Sequence, residues 1–347
     1  MTTVAPVAPR SPQSAGPGEA SVRRGSLARA EIRRFRSRRF IRVLLALAAV
    51  GYVLAIGVAS TKTFGKTTPD RLAAAQRNVQ QAIQQQDFYR QQCLRDANRP
   101  ANVPDEQVCG PPASADNYRA EDFLDRRPFV LATRLPEVSL PVAVATAALA
   151  FLIGATYIGA EWSSRSIVAL LFWEPRRVRV MAVKLAVLTA AAALLGVLTQ
   201  ALWWGTARLM AAALGTAKGL PSGFYGHLLQ EQGRGVALVV LAALLGFAFS
   251  NLVRNTGAAL GVGFVYFAVV ESAVRGIHPA WQQWLLTDNA VALVQPGGFR
   301  LFLFGPRLPN GQRELLLSNL HGGLVLGLVT LALVTLGVLA FSRRDLS

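Results

Sequence analysis

Histidine, cysteine and acidic side chains are scarce in this chain. Its 347 residues include three histidines, two cysteines and 19 Asp and Glu. Only 16% of the residues are charged, against about 25% in a typical soluble domain. The histidines, His227, His278 and His321, lie far apart and offer no metal-ligand spacing. Neither His-Glu-x-x-His nor Gly-x-Ser-x-Gly occurs, so no membrane-protease or hydrolase chemistry is visible. No catalytic residues, no metal site and no cofactor bound by this chain are expected.

What the chain has instead is apolar length. Hydrophobic residues make up 52% of it and are gathered into long blocks. Crossing the hydrocarbon takes about 20 apolar residues, since each rises ~1.5 Å through a layer ~30 Å thick. Six segments qualify or nearly do: 43–60, 136–157, 180–204, 236–253, 256–274 and 322–341. None has a charge at its centre. Lys184 stands one turn into the third, where a lysine can snorkel back to the headgroups. Only Arg254 and Asn255 separate the fourth and fifth, which predicts a tight helical hairpin. The expected fold is an all-α membrane protein of six transmembrane helices.

The basic residues give these spans a direction. Arg23, Arg24, Arg29, Arg33, Arg34, Arg36, Arg38, Arg39 and Arg42 precede the first span, with Glu31 the one acid among them. That places the N-terminus in the cytoplasm. Alternation then puts Arg165, Arg176, Arg177, Arg179, Arg254, Arg343 and Arg344 inside, and the C-terminus with them. By side, the inner parts hold 18 Lys and Arg against 5 Asp and Glu, and the outer parts 18 against 14. The net charge of +17 is therefore a positive-inside signature, and no nucleic-acid partner is expected.

Residues 1–25 are rich in Pro, Ala, Gly and Ser and read as a disordered cytoplasmic tail. In 26–42, Ala28, Ile32 and Phe35 fall at i, i+4 and i+7 among arginines. That spacing predicts a basic interfacial helix rather than a flank that only sets topology. Ser37-Arg38-Arg39-Phe40 looks like part of a twin-arginine signal, and Val58-Ala59-Ser60 like a cleavage site. The apolar run exceeds the ~7–15 residues of a signal-peptide core, so an uncleaved anchor is expected.

The polar stretch 61–135 reads as one helical domain outside the membrane. Arg71 to Asp96 is rich in Gln and Ala, and carries Leu72, Val79, Ile83 and Leu94 as a partial stripe. Asn98, Pro100 and Pro104 end it. Cys93 and Cys109 close a loop around those prolines. Outside the cell they are expected as a disulfide rather than two thiols, worth about 3 kcal/mol for such a loop. Gly65-Lys66-Thr67-Thr68 mimics the end of a phosphate-binding loop, but that pattern needs a glycine where Ser60 stands. In the loop 275–321, Trp281, Trp284 and Leu285 and then Leu301-Phe302-Leu303-Phe304 are read as pieces lying on the outer leaflet, with surface loops as the alternative.

Polar groups within the spans are the remaining candidates. Glu271 has Arg275 at i+4, and an ion pair at the membrane boundary is favoured over a proton- or substrate-binding carboxylate. Gln200, Ser250 and Asn251 either line a pathway or bond neighbouring helices.

The loop 159–179, between the second and third spans, carries the most information. Glu161 to Leu171 can form a short helix, with Ile167, Leu170 and Leu171 on one side, and Pro175 ends it. Arg176, Arg177 and Arg179 then lead into the next span. This is an amphipathic element at the cytoplasmic face, continuous with two membrane helices, or else a reinforced hairpin turn. It resembles the corresponding loop of permease subunits of type-2 ABC exporters. Those typically show a Glu, Ser/Gly-Thr, apolar residues, Pro-x-Arg and an early Lys in the next helix. The matching positions are Glu161, Ser164, Ser166, Pro175, Arg177 and Lys184. The ending Phe341-Ser342-Arg343-Arg344-Asp345 is similar to the Phe-x-Arg-Arg-Asp tail of such permeases. At Arg165 that family usually has glycine.

The resemblance implies the permease subunit of an ATP-driven transporter in a bacterial plasma membrane, exporting a small molecule, lipid or peptide by alternating access. ATP and magnesium would sit on a separate cytoplasmic ATPase. A second permease, identical or paralogous, would complete the unit within the lipid bilayer. Residues 136–347 would be a five-span bundle, and the loop with Glu161, Ser164, Arg165, Ser166, Ile167, Leu170, Pro175 and Arg177 its contact to the ATPase. The alternative is a non-transporting membrane sensor or assembly protein acting through its extracytoplasmic domain.

Overall fold

A computed structural model describes residues 24–96, 100, 103–114, 117–304 and 312–343. Six helical stretches among them are long and apolar enough to cross a membrane, so the protein is a helical multi-pass membrane protein. In chain order, α1 (Arg24–Ser37) leads to α2 (Arg39–Val58), which ends in a π turn at Ala59–Thr63. A polar arm follows, with α3 (Pro69–Arg95), α4 (Asp105–Cys109) and a 3-10 turn at Ala120–Phe123. Next come β1 (Phe129–Val130), α5 (Leu131–Ser163), α6 (Ser166–Trp173), α7 (Arg177–Leu214), β2 (Gly215–Thr216) and α8 (Phe224–Val253). The fifth crossing is α9 (Thr256–Phe264), a π segment at Val265–Val270 and α10 (Glu271–Ile277). A 3-10 turn at Pro279–Trp284, α11 (Leu286–Val294), β3 (Phe299–Phe304), β4 (Gln312–Leu317) and α12 (Asn319–Arg343) complete it.

The spanning helices outrun their apolar cores. The 33 residues of α5 and 38 of α7 measure about 50 and 57 Å at ~1.5 Å per residue, against a ~30 Å hydrocarbon layer. Their ends carry polar side chains that an apolar-run criterion leaves out, among them Arg134, Glu137, Glu161, Arg177 and Arg179. The second crossing therefore begins at Leu131 and continues through Pro136 and Pro141, although each proline removes a helical N–H donor.

Two expected boundaries move. The interfacial helix does not run unbroken over 26–42. Arg38 is extended (φ −66°, ψ 114°), so α1 stops at Ser37 and 39–42 start the first crossing. Residues 24 and 25, expected within the tail, are helical. The rest of the tail, Asn98, and Arg344 with Asp345 fall outside the described residues. Between α8 and α9 the expected tight hairpin forms: Asn255 Oδ1 accepts from the Ala258 N–H (3.1 Å), a side-chain N-cap.

The arm is held by side chains across its turns. Pro69 and Asp70 start α3, the first having no N–H to leave unbonded and the second favouring the positive helix end. Cys93 and Cys109 form a disulfide with Cα atoms 5.6 Å apart. Arg90 Nε donates to the Gly110 carbonyl (3.2 Å), Tyr118 bonds Gln86, and Arg71 pairs with Asp125 (3.0 Å).

Strand pairs are the departures from an all-α chain among the described residues. β1 and β2 pair in parallel over two residues. β3 and β4 form an antiparallel hairpin with Phe299 opposite Leu317. Leu301, Leu303 and Leu317 pack with Ala292 of α11, while Phe302 and Leu316 face out. The segment Leu301-Phe302-Leu303-Phe304 belongs to β3, and Leu301, Phe302 and Leu303 alternate buried, exposed and buried. Trp281 and Trp284 are exposed.

The core centres on the crossing of α5 and α8. A Cβ on Gly154 would lie 2.0 Å from the Ala243 carbonyl oxygen, and one on Gly246 would lie 2.1 Å from that of Phe151. Hydrogen at both positions lets the two backbones touch, the small-residue packing of membrane helices. By contrast α2 stands at the periphery, its Val43, Leu47, Val50, Val53 and Leu54 exposed. Tyr52 Oη donates to Thr206 Oγ1 (2.8 Å) and ties it to α7.

Candidate functional site: a buried ion network at one end of the bundle

Two of the matched positions, Glu161 and Lys184, meet in a cluster of buried charges. Tyr157 and Glu161 are four residues apart on α5 and so share a face. Lys184 comes from α7, Glu31 from α1 and Arg38 from the break between α1 and α2. Lys184 is 0% exposed and Glu31 1%. The Lys184 ammonium lies 2.8 Å from Glu31 Oε2 and 2.8 Å from Glu161 Oε2. Arg38 donates to Glu161 Oε1 (2.7 Å) and to the Thr156 carbonyl (3.0 Å). Tyr157 Oη donates to Glu31 Oε2 (2.8 Å). Both cations also sit over the Tyr157 ring, at 5.2 and 5.3 Å from its centroid.

Two carboxylates thus meet two cations, with Arg34 adding a 3.2 Å contact to Glu31 from the surface. A neutral, hydrogen-bonded set is the arrangement in which burying ions is tolerable. Lys184 therefore does not snorkel: α1 lies across its end of the bundle and supplies a carboxylate where headgroups were expected. The face α1 turns inward also differs from the expected stripe. Glu31 is buried at its centre and Phe35 packs edge-on against Tyr157, while Ile32 points outward.

The loop itself is two elements. α5 runs on to Ser163, so Glu161 belongs to its last turn and is buried. Ser164 Oγ donates to the Ala160 carbonyl (2.8 Å) and contacts Ser166 Oγ (3.0 Å). Arg165 adopts the left-handed conformation (φ 53°, ψ 12°) that opens α6. Glycine adopts that conformation freely, whereas an L side chain pays about 1 kcal/mol or more. Arg165→Gly is accordingly expected to leave the turn intact and raise stability by about 0.5–1 kcal/mol, read by thermal or denaturant unfolding in detergent; a loss would mean that the guanidinium holds the turn. Ile167 and Leu170 are buried in the core, whereas Arg165, Ala169 and Phe172 are exposed. After Pro175, Arg177 donates to the carbonyls of Phe341 (3.5 Å) and Ser342 (3.4 Å) at the end of α12.

Asn251 bonds neighbouring helices. It accepts from Trp162 Nε1 (3.2 Å) and donates to the Gly337 carbonyl (2.9 Å), linking α5, α8 and α12. Gln200 donates to the Ser139 carbonyl (3.3 Å), while its Oε1 and the Ser250 hydroxyl are buried without partners among the described residues. Glu271 is fully buried beside Arg275 (3.2 Å) and also bonds the Thr287 hydroxyl and N–H. Sequence reasoning found this pair but missed Asp288, 2.9 Å from the same guanidinium. Burial pushes the Asp288 carboxyl above the ordinary range, with Arg275 opposing it. Among the described residues no group of three His, Cys, Asp or Glu is arranged to hold a metal ion.

No protein-family model and no curated protein sequence matches the chain.

Proposed function

We propose that this protein is the membrane subunit of an ATP-driven exporter, with its basic loops and both termini in the cytoplasm and energy supplied by a separate ATP-binding-cassette subunit. One observation carries the reading. Glu161 and Lys184, positions of the exporter-like motif separated by 23 residues, join the same buried ion network. That network ties α1, α5 and α7 together, and its Glu161 stands in the last turn of α5, just before α6. A force on α6 enters α5 through the Ser164–Arg165 turn and α7 through Pro175, and the buried ions make α1 move with them. Coupling of this kind requires a contiguous packed element that the partner can bias. A bacterial plasma membrane and a second permease copy belong to the same reading.

The test follows from burial. Phe172 is 85% exposed, and Ala169 shares that side of α6. With a candidate ATP-binding-cassette subunit that copurifies with the wild-type chain coexpressed, Phe172→Asp and Ala169→Asp should abolish its copurification while the permease still elutes as folded protein. Ile167→Asp should instead destroy the fold, because it buries a charge in the core. Retention of ATPase binding and turnover in both surface variants would remove the coupling role of α6.

A sensor acting through the polar arm is the second reading, favoured by Phe88 and Tyr89, which stand exposed side by side on α3. It requires that Phe88→Ser with Tyr89→Ser abolish function while the α6 variants leave it intact.

A further inference from the structure

A second polar site lies at the N-terminal ends of α5 and α8, away from the ion network. Glu231, on α8, is 4% exposed. The buried carboxylates Glu31, Glu161, Glu271 and Asp288 all have a cationic partner within ion-pair distance. Glu231 has none at that distance and, among the described residues, makes no hydrogen bond; the positive charge that acts on it is that of Arg234. Arg234 stands one turn further along the same helix. That i, i+3 spacing permits an ion pair, yet the two form none. Instead both line a cavity of about 330 Å³, lined also by Pro136 of α5 and the Pro296–Gly297 turn. Among the described residues the one other titratable side chain lining it is His227, one turn before Glu231.

A buried carboxylate without a partner is costly, and such groups in membrane helices mark sites that another molecule completes. Here Glu231 lacks a contacting cation, and Arg234, part-buried at the same cavity, presents a guanidinium not engaged in an ion pair among the described residues. A single-charged ligand would satisfy one and be repelled by the other. The volume is at the small end of ligand pockets, which run from about 300 to 1,000 Å³. We infer that this cavity binds a small zwitterion, its ammonium on Glu231 and its carboxylate or phosphate on Arg234. Free amino-acid-like molecules and the headgroup of an aminophospholipid share this chemistry. The site stands independently of the exporter reading, since it uses none of the residues around α6.

The experiment is calorimetric titration of the full chain in phosphatidylglycerol nanodiscs with O-phosphoethanolamine, and separately with ethanolamine and inorganic phosphate. O-phosphoethanolamine should bind while neither probe of one charge sign does at the same concentration. Glu231→Gln and Arg234→Gln should each weaken binding about tenfold or more, the value of a lost charge-assisted hydrogen bond. Glu231→Asp and Arg234→Lys should keep most of it. Nanodiscs containing phosphatidylethanolamine separate the sources: competition with the probe marks a lipid headgroup, and unchanged affinity marks a free solute. No binding of O-phosphoethanolamine, equal binding of ethanolamine, or wild-type affinity in both Gln variants overturns the proposal. The three-probe comparison on the unaltered chain decides it even if a variant fails to fold.

Discussion

Methionine in place of Lys184 is expected to cost the fold about 3–5 kcal/mol, the penalty of removing one partner from a buried ion pair. The lysine is the one cation that touches both carboxylates. Without it, Glu31 retains only Tyr157 and the half-exposed Arg34, while Glu161 retains Arg38. The network would hold two negative charges against one well-buried positive one. Adding Glu31→Gln restores the balance, because Arg38 and Glu161 remain a matched pair at 2.7 Å. The double variant should therefore be more stable than Lys184→Met alone. Denaturant unfolding in detergent measures both, and the coupling follows from the cycle. A cost below ~1 kcal/mol for Lys184→Met, the range of an exposed pair, would mean that the charges are not held as described.

Alanine at Gly154 or Gly246 is the other change with a large expected effect. The clash involves Cβ itself, at 2.0 and 2.1 Å from a backbone carbonyl, so no rotamer relieves it. The helices α5 and α8 must separate, opening the core around Ala243 and Phe247. Overpacking usually costs about 1–3 kcal/mol and more where backbone must move; about 3 kcal/mol or more is expected here. The two substitutions should be less than additive, since the first already parts the helices. Gly205→Ala is the control: nothing lies within 4 Å of that position, and α7 should gain about 0.5–1 kcal/mol. If all three variants unfold alike, the close crossing of α5 and α8 is not what specifies the bundle.

Parts of the candidate site were legible in one dimension and parts were not. The pairing of Glu271 with Arg275 could be read because i, i+4 neighbours on a helix meet whatever surrounds them. Asp288 completes that pair from another element, so no local spacing announces it. The amphipathic character of α1 was readable, but its inward face was assigned by hydrophobicity, which ranks Ile32 above Glu31. Burial chose the reverse, because Lys184 waits beneath the helix. Arg165 shows the same division: its departure from glycine was visible as a letter, whereas the left-handed backbone it must adopt belongs to the folded turn. Glu231 was overlooked because it lies outside the apolar run, and its lack of a partner is a property of the packed molecule.

The six crossings and the lopsided distribution of arginine follow from sequence alone, because chain rise against bilayer thickness and charge near span ends are local quantities. The tertiary structure alone decided which charges are buried together. Glu31 and Lys184 are 153 residues apart, and only the docking of α1 across α5 and α7 brings them within 2.8 Å. The same holds for Gly154 and Gly246, ordinary small residues in their own helices and a shared contact once those helices cross. Hydrophobic length is a sum over neighbours along the chain; ion pairing and close packing depend on distances in space, and those exist only after the helices have assembled.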